Sequence, residues 1–79
     1  MNMERALAEI DLAVERSYKH RGATPAVIEA LRFLSAKGVE RKTLVWFWNA
    51  IRGDNEIGRS QNANASRNRI KFLLGVRPK

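Results

Sequence analysis

The sequence predicts an all-α protein, a compact bundle of about four short helices in a single domain of residues 1–79. Apolar residues recur at intervals of three and four positions in four separate segments, which is the spacing of one buried helix face. Glycine or proline lies between the segments, where helices commonly begin or end. A chain of 79 residues suits one domain with a small hydrophobic core.

The first helix is predicted over residues 3–20. Its expected core face consists of Met3, Leu7, Ile10, Val14, and Ser17 or Tyr18, with Ala6 and Ala13 beside them. These residues alternate at spacings of four and three, as one face of a helix requires. Acidic and basic residues take the remaining positions, so the opposite face is expected to be solvated.

The second helix is predicted to open at Thr24 and Pro25. The threonine hydroxyl can cap the first turn. Proline is tolerated at the first helical position because the N–H group that it lacks would have no partner within the helix. Gly38 follows the last helical residues and is expected to take the left-handed conformation that ends a helix. The residues expected in the core are Val27, Leu31 and Leu34, flanked by Ala30 and Ile28.

The third helix is predicted to begin at residue 40 or 41 and to end at Arg52. It contains five consecutive apolar residues, at positions 44–48, which one helix face cannot accommodate. At about 100° per residue, the expected core face comprises Leu44, Phe47, Trp48 and Ile51. The residues expected on the other side are Val45, Trp46, Asn49 and Ala50.

Residues 28–47, which run from the second helix into the third, resemble the helix-turn-helix of small DNA-binding regulators. They share its glycine in the turn, Gly38, the small apolar Val39 after it, and aliphatic anchors on the following helix. Leu34 stands where that motif usually has alanine, and Glu40 where it usually has a capping Ser, Thr or Asp. The resemblance implies a helix-turn-helix-like pair; the alternative is that the apolar third helix is simply buried in the bundle.

The last helix is expected to begin within residues 57–66, near Arg59, and to end before Gly75. Ser60, Asn62 and Asn64 are all possible caps. Its expected core face consists of Ile70, Leu73 and Leu74, with Ala63 and Ser66 one or two turns earlier. Residues 53–55, Gly-Asp-Asn, are expected to form the turn that precedes it.

The net charge of +7 is concentrated at the C-terminal end. Residues 1–20 contain four acids and three bases, whereas residues 57–79 contain six bases and no acid. A local field of one sign attracts polyanions, so nucleic acid, with DNA favoured over RNA, is the first expected partner, and an acidic protein surface is the second. The residues expected to bind nucleic acid are Arg59, Ser60, Asn64, Arg67, Asn68, Arg69 and Lys71, together with Arg41 and Lys42. For residues 61–66 the alternative is a solvated loop in front of a basic helix.

Three aromatic residues, Trp46, Phe72 and Phe33, exceed what one small core requires. Three explanations remain open. The third helix is covered on both sides by the first and last helices, a homodimer buries the surplus aromatic side chains, or these side chains stack on nucleotide bases. For a homodimer they are the expected interface residues.

The sequence contains no catalytic or metal-binding signature. It has no cysteine, and its single histidine, His20, lies beside two bases where it complements the dipole of the first helix. No glycine-rich phosphate loop or serine elbow occurs. We therefore expect no enzymatic activity, cofactor or metal. Acids interrupt the apolar positions of the N-terminal segment, and no apolar run approaches the roughly 18 residues of a membrane span, so we expect a cytoplasmic protein without membrane contact.

Two functions are consistent with these observations. The first is a small, basic, dimeric nucleic-acid-binding regulator of transcription, whose C-terminal helix contacts phosphates. The alternative is a small adaptor or inhibitor of the type encoded by phages and mobile elements, which binds an acidic or apolar surface of a host protein. The salt dependence of duplex DNA binding distinguishes them, because only phosphate contacts release counterions.

Overall fold

A computed structural model of the chain describes residues 1–17, 22–52 and 59–76. Within these ranges it contains four helices and no strand: α1 (Met3–Ser17), α2 (Pro25–Ala36), α3 (Arg41–Arg52) and α4 (Arg59–Leu73). The predicted all-α bundle of about four short helices is confirmed. The predicted extension of the first helix to residue 20, with His20, and the predicted turn at residues 53–55 lie outside the described residues.

Short polar side chains begin the first two helices. The Oγ1 of Thr24 accepts a hydrogen bond from the amide of Val27 at 3.3 Å, and the backbone of Thr24 is extended, with φ of −124°. At the start of α1, Asn2 has the same role, since its Oδ1 accepts from the amide of Arg5 at 2.8 Å. Each cap satisfies an amide that the first turn leaves without a helical partner.

Glycines in the left-handed conformation end α2 and α4. Gly38 has φ of 99° and Gly75 has φ of 75°. Beyond Gly38, the amide of Val39 turns back to donate to the carbonyl of Leu34 at 3.1 Å. This bond satisfies a carbonyl at the helix end and reverses the chain towards α3.

The core lies where all four helices meet, and α3 contacts each of the other three. Its largest fully buried side chains include Phe47 and Ile51 of α3, Ile10 of α1, Leu34 of α2 and Ile70 of α4. The most extensive helix contacts are those of α3 with α4 and of α1 with α2, and among the helix pairs that touch, the contact of α2 with α3 is the smallest. None of the described helices has the length and apolarity needed to cross a membrane.

α2 and α3 form the helix-turn-helix-like pair, joined through Gly38 and Val39. Leu34, where the motif usually has alanine, is fully buried in the core. A side chain of this size leaves less room for close helix approach, which accords with the limited contact between the two helices. A groove therefore lies open between them on the outer side.

The observed core faces differ from the predicted ones because small residues occupy the closest contacts. In α1 the buried positions are Ala6, Ile10, Ala13 and Ser17, whereas Met3 and Val14 pack only at the edge of the core. The buried face is thus rotated towards the alanines. Alanine lets a neighbouring helix approach closely, so the best-covered stripe need not be the one with the largest side chains.

The other helices show the same shift. Leu31 of α2 is half-buried and Ile28 is 38% exposed, so both lie outside the fully buried core in which they were predicted. Leu73 of α4 is 37% exposed and Leu74 half-buried. Conversely, Ala50 of α3, predicted to face outward beside Trp46, is buried at 8% exposure.

Gly22, in the connection that leads into α2, is buried where α1 and α3 pass close to one another. A Cβ atom at this position would lie 2.7 Å from the carbonyl oxygen of Ala13 and 3.1 Å from the Cβ of Ile51. Both neighbours belong to packed helices and have little freedom to move. The position therefore requires a residue without a side chain.

Gly22→Ala should lower the free energy of unfolding by about 1–3 kcal/mol, because the added methyl group overpacks a contact with helix backbone. The measurement is urea denaturation followed by circular dichroism. Ala23→Ser, at the exposed neighbouring position, is the control and should change stability by less than about 0.5 kcal/mol. Native stability in Gly22→Ala would contradict the close approach of α1 and α3 at this point.

Candidate nucleic-acid interface

One exposed face of α3 is basic and carries no acid. We define the outward stripe as the exposed residues Arg41, Lys42, Val45, Asn49 and Arg52. Lys42, Val45, Asn49 and Arg52 recur at spacings of three and four residues, Arg41 is adjacent to Lys42, and the stripe spans all three turns of the helix. Residues 41–52 contain no acid, so the stripe carries three positive charges without a negative charge on its own helix.

Glu40 immediately precedes α3 and is an acid that borders this stripe. Its backbone carbonyl accepts from the amides of Thr43 and Leu44 at 3.2 and 3.3 Å. Its Oε1 accepts from the Oγ1 of Thr43 at 2.8 Å. The carboxylate also lies 3.9 Å from both the Nζ of Lys42 and the Nη2 of Arg69. The carboxylate of Glu40 thus contacts the first turn of α3 through the hydroxyl of Thr43 and partly neutralises Lys42 and Arg69.

A second set of basic residues, on α4, faces α1 and is partly covered. Lys71 of α4 places its Nζ 3.0 Å from the Oδ1 of Asp11 on α1 and 3.3 Å from its Oδ2. The Nη1 of Arg67 lies 3.7 Å from the same carboxylate, and its Nη2 donates to the Oδ1 of Asn64 at 2.7 Å. We call Asp11, Asn64, Arg67 and Lys71 the Asp11 cluster.

The Asp11 cluster changes the role of two predicted binding residues. The side chains of Arg67 and Lys71 are only 25% and 19% exposed, and both contact the carboxylate of Asp11. An ion pair of this kind joins α4 to α1 and lowers the charge available to an external phosphate. The predicted stripe of α4 thus faces an acid of the first helix instead of lying free in solvent.

Of the remaining predicted binding residues, some are exposed and others have side chains that lie outside the described part of the chain. Asn68 and Arg69 of α4, like Arg41 and Lys42 of α3, are exposed. Arg59 and Ser60 belong to the first turn of α4, and their side chains lie outside the described residues. The structure therefore brings Lys42 of α3 and Arg69 of α4 to the same carboxylate, that of Glu40, whereas Arg67 and Lys71 contact Asp11.

Trp46 and Phe72 lie together on the α4 side of α3. They line an open groove of about 620 Å³ with Ala65, Asn68, Arg69, Gly75 and Val76, here called the Trp46–Phe72 groove. Trp46 is 39% exposed, and its Nε1 donates to the Oδ1 of Asn62 at 3.3 Å. α3 contacts both α1 and α4, as the first of the three explanations expected, but α4 covers the side chain of Trp46 only in part.

The third predicted interface residue lies elsewhere. Phe33, on α2, is half-buried against the core, and the Nζ of Lys37 lies 5.3 Å from its ring centroid. In contrast, Phe72 is 70% exposed, with the guanidinium of Arg69 at 5.4 Å from its ring centroid. Phe33 does not line the Trp46–Phe72 groove.

Sequence reasoning omitted three members of the outward stripe, Val45, Asn49 and Arg52, from the predicted binding residues. The helical period had placed Val45 and Asn49 outward, so their position was predictable. Arg52 lies three turns after Arg41 on the same face, and the guanidinium of Arg52 lies 6.0 Å from the ring centroid of Trp48. Helical spacing alone would have grouped these residues.

Comparisons of the chain with protein-family models, with curated proteins and with solved structures find no match. In the described part of the chain, no group of three or more acidic or histidine side chains is arranged to hold a metal ion. Functional inference therefore depends on the surfaces of this fold.

Asp11→Asn should lower the free energy of unfolding by about 0.5–1 kcal/mol, since Asp11 is partly exposed and its two ion pairs are screened by solvent. The loss should diminish in high salt, where the native pairs are already weakened. Urea denaturation at low and high salt measures both effects. Glu15→Gln, an exposed acid of the same helix, is the control and should be neutral. Equal effects of the two substitutions would contradict a specific role for the Asp11 cluster.

A homodimer through the Trp46–Phe72 groove remains a prediction. Sedimentation equilibrium of the native chain at high micromolar concentration should show a dimer, and Phe72→Ser should show a monomer. Since Phe72 is mostly exposed, its loss should change stability by less than about 0.5 kcal/mol. Leu12→Ser, at a 37% exposed position on α1, is the control and should stay dimeric. A monomeric native chain would rule out this interface.

Proposed function

We propose that the protein is a small DNA-binding regulator whose α3 enters the major groove of duplex DNA. The observation that carries the proposal is the acid-free outward stripe of α3, in a helix that follows α2 through a glycine turn. This is the order of elements in which a helix-turn-helix presents its second helix to DNA. The major groove admits one α-helix, and α3 has three turns to place in it.

The side chains of the outward stripe match the chemistry of base edges. Arginine or lysine donates to the acceptors of guanine, the amide of asparagine pairs with adenine, and an aliphatic group contacts the methyl of thymine. Arg41 and Lys42 at one end, Asn49 in the middle and Val45 beside them supply each of these groups. The described stripe is thus able to contact both bases and phosphates.

Exposed cations outside the centre of the stripe are placed to contact phosphates. Arg69 of α4 lies near Lys42, since both approach Glu40 within 3.9 Å. Phosphate contacts fix the position of a protein on DNA and supply most of the salt-dependent affinity. Duplex DNA is preferred to duplex RNA because the major groove of A-form RNA is too narrow for an inserted helix.

The test is fluorescence anisotropy with a labelled duplex of about 20 base pairs of random sequence across a salt series. If the three cations of the outward stripe and Arg69 all neutralise phosphates, affinity should fall roughly 100-fold between about 50 and 200 mM salt. Lys42→Glu should weaken binding by about tenfold and reduce the salt slope by about one. Glu40→Gln should strengthen binding, because it removes the acid that neutralises Lys42 and Arg69.

Arg16→Glu is the matched control for Lys42→Glu, because it makes the same change of net charge on an exposed position of α1. It should leave affinity within about twofold, since α1 lies outside the proposed contact. Negligible binding of the native chain, or equal losses in the two variants, would contradict the proposal. The second result would indicate that net charge alone attracts DNA.

The alternative function, a small adaptor or inhibitor that binds another protein, is supported by a different observation. Apolar side chains are exposed in the open groove between α2 and α3, where a nucleic acid would gain little. The chemistry of that groove indicates a specific class of partner.

A further inference from the structure

The groove between α2 and α3 has two walls of the same construction. From α2 it is lined by Ile28, Leu31, Arg32 and Ser35, and from α3 by Arg41, Leu44, Val45 and Trp48. Each set follows the spacing i, i+3, i+4, i+7, so each wall is one helical stripe two turns long. We call this cleft of about 370 Å³ the α2–α3 groove.

The groove is apolar at its centre and cationic at its edges. Ile28 is 38% and Val45 45% exposed, and Trp48 is half-buried beside them. Each wall contributes one arginine, Arg32 or Arg41, and none of the described residues that line the groove is acidic. A ligand that fits must therefore carry both apolar groups for the floor and negative charge for the edges.

An amphipathic helix with acidic flanks meets both requirements. Two parallel stripes on neighbouring helices form a trough, and the apolar face of a third helix fits such a trough through its own i, i+3, i+4 and i+7 residues. Acidic residues beside that face would then approach the arginines at the edges. Duplex DNA is a poor ligand for this groove, because its phosphates and base edges would lose hydration on an apolar surface without gaining hydrogen bonds.

A second copy of this chain is a weaker fit. Its exposed apolar residues on a helix rich in acids are Met1 and Leu12, on or beside α1. The neighbouring exposed face of α1 contains Glu4 and Glu15, but a single large side chain in the helix itself, Leu12, cannot fill two turns of a groove. The partner is therefore a different protein.

We propose that the α2–α3 groove binds an acidic amphipathic helix of a partner protein. The apolar face of that helix packs on Leu31, Leu44 and Trp48. Its carboxylates pair with the guanidinium groups of Arg32 and Arg41. Binding at this groove does not depend on the proposed contact with DNA. Ile28 and Arg32 belong to the groove alone, so the two proposals can fail separately.

The experiment uses three labelled helical peptides of about 18 residues, a length at which designed helices are stable enough to test. The first has leucine at the i, i+3, i+4 and i+7 positions, glutamate at the positions that flank this face, and alanine elsewhere. The second replaces every glutamate by lysine, and the third replaces every leucine by serine. Fluorescence anisotropy should show saturable binding of the first peptide and affinities at least about tenfold lower for the other two.

Ile28→Glu and Leu12→Glu form a matched pair of variants, since the native side chains are 38% and 37% exposed. Circular dichroism first confirms that both fold. Ile28→Glu should weaken binding of the acidic peptide by at least about tenfold, because it places a carboxylate on the apolar floor. Leu12→Glu should bind it as the native chain does.

Several results would overturn the proposal. These are no saturable binding of the acidic leucine peptide, equal binding of the lysine or serine peptide, unchanged binding by Ile28→Glu, or amide chemical-shift changes confined to the Trp46–Phe72 groove. A native dimer that Ile28→Glu dissociates would also overturn it, since a second copy would then occupy the groove. Shift changes along α2 and α3, centred on residues 28–35 and 41–48, would support it.

Discussion

The ion pairs of Asp11 with Lys71 and Arg67 separate the basic side chains described on α3 and α4 into two groups. One group joins α4 to α1 and is largely covered, while the other, on the outward stripe of α3 and at Arg69, faces solvent. Net charge therefore overstates the field available to a ligand. The number of basic residues favours α4 as the candidate interface. The exposure of their side chains favours α3 instead.

The run of five apolar residues in α3 is explained by the three neighbours of this helix. Phe47 and Leu44 face the core, Trp46 turns towards α4, and Trp48 turns towards α2. Val45 is left on the outer surface at 45% exposure. A helix that contacts three others needs apolar groups around most of its circumference, and the partly covered tryptophans mark where those contacts end.

Local sequence signals predicted the helices well and the tertiary contacts poorly. Thr24 with Pro25 and the glycine at position 38 act within a few residues, so their roles follow from the sequence alone. The choice of Ala6 and Ala13 over Leu7 for the buried face depends on how closely another helix approaches, which no local pattern contains. The Asp11 cluster was not predictable for the same reason: Asp11 and Lys71 are 60 positions apart. Among the candidate sites, exposure of Arg41 and Lys42 followed from helical period, whereas the contact of the half-buried Arg67 with Asp11 did not.

The outward stripe and the α2–α3 groove share an edge, because Arg41 and Val45 belong to both. A helix seated in the groove would cover the side of α3 that a duplex also needs, and its acidic flank would occupy Arg41. The two proposals taken together therefore imply negative coupling: each ligand would reduce the affinity for the other by the same factor, since linkage between two binding equilibria is reciprocal. In that arrangement an acidic partner helix competes with DNA for the guanidinium group of Arg41. The concentration of the partner would then determine how much of the protein can bind DNA through α3.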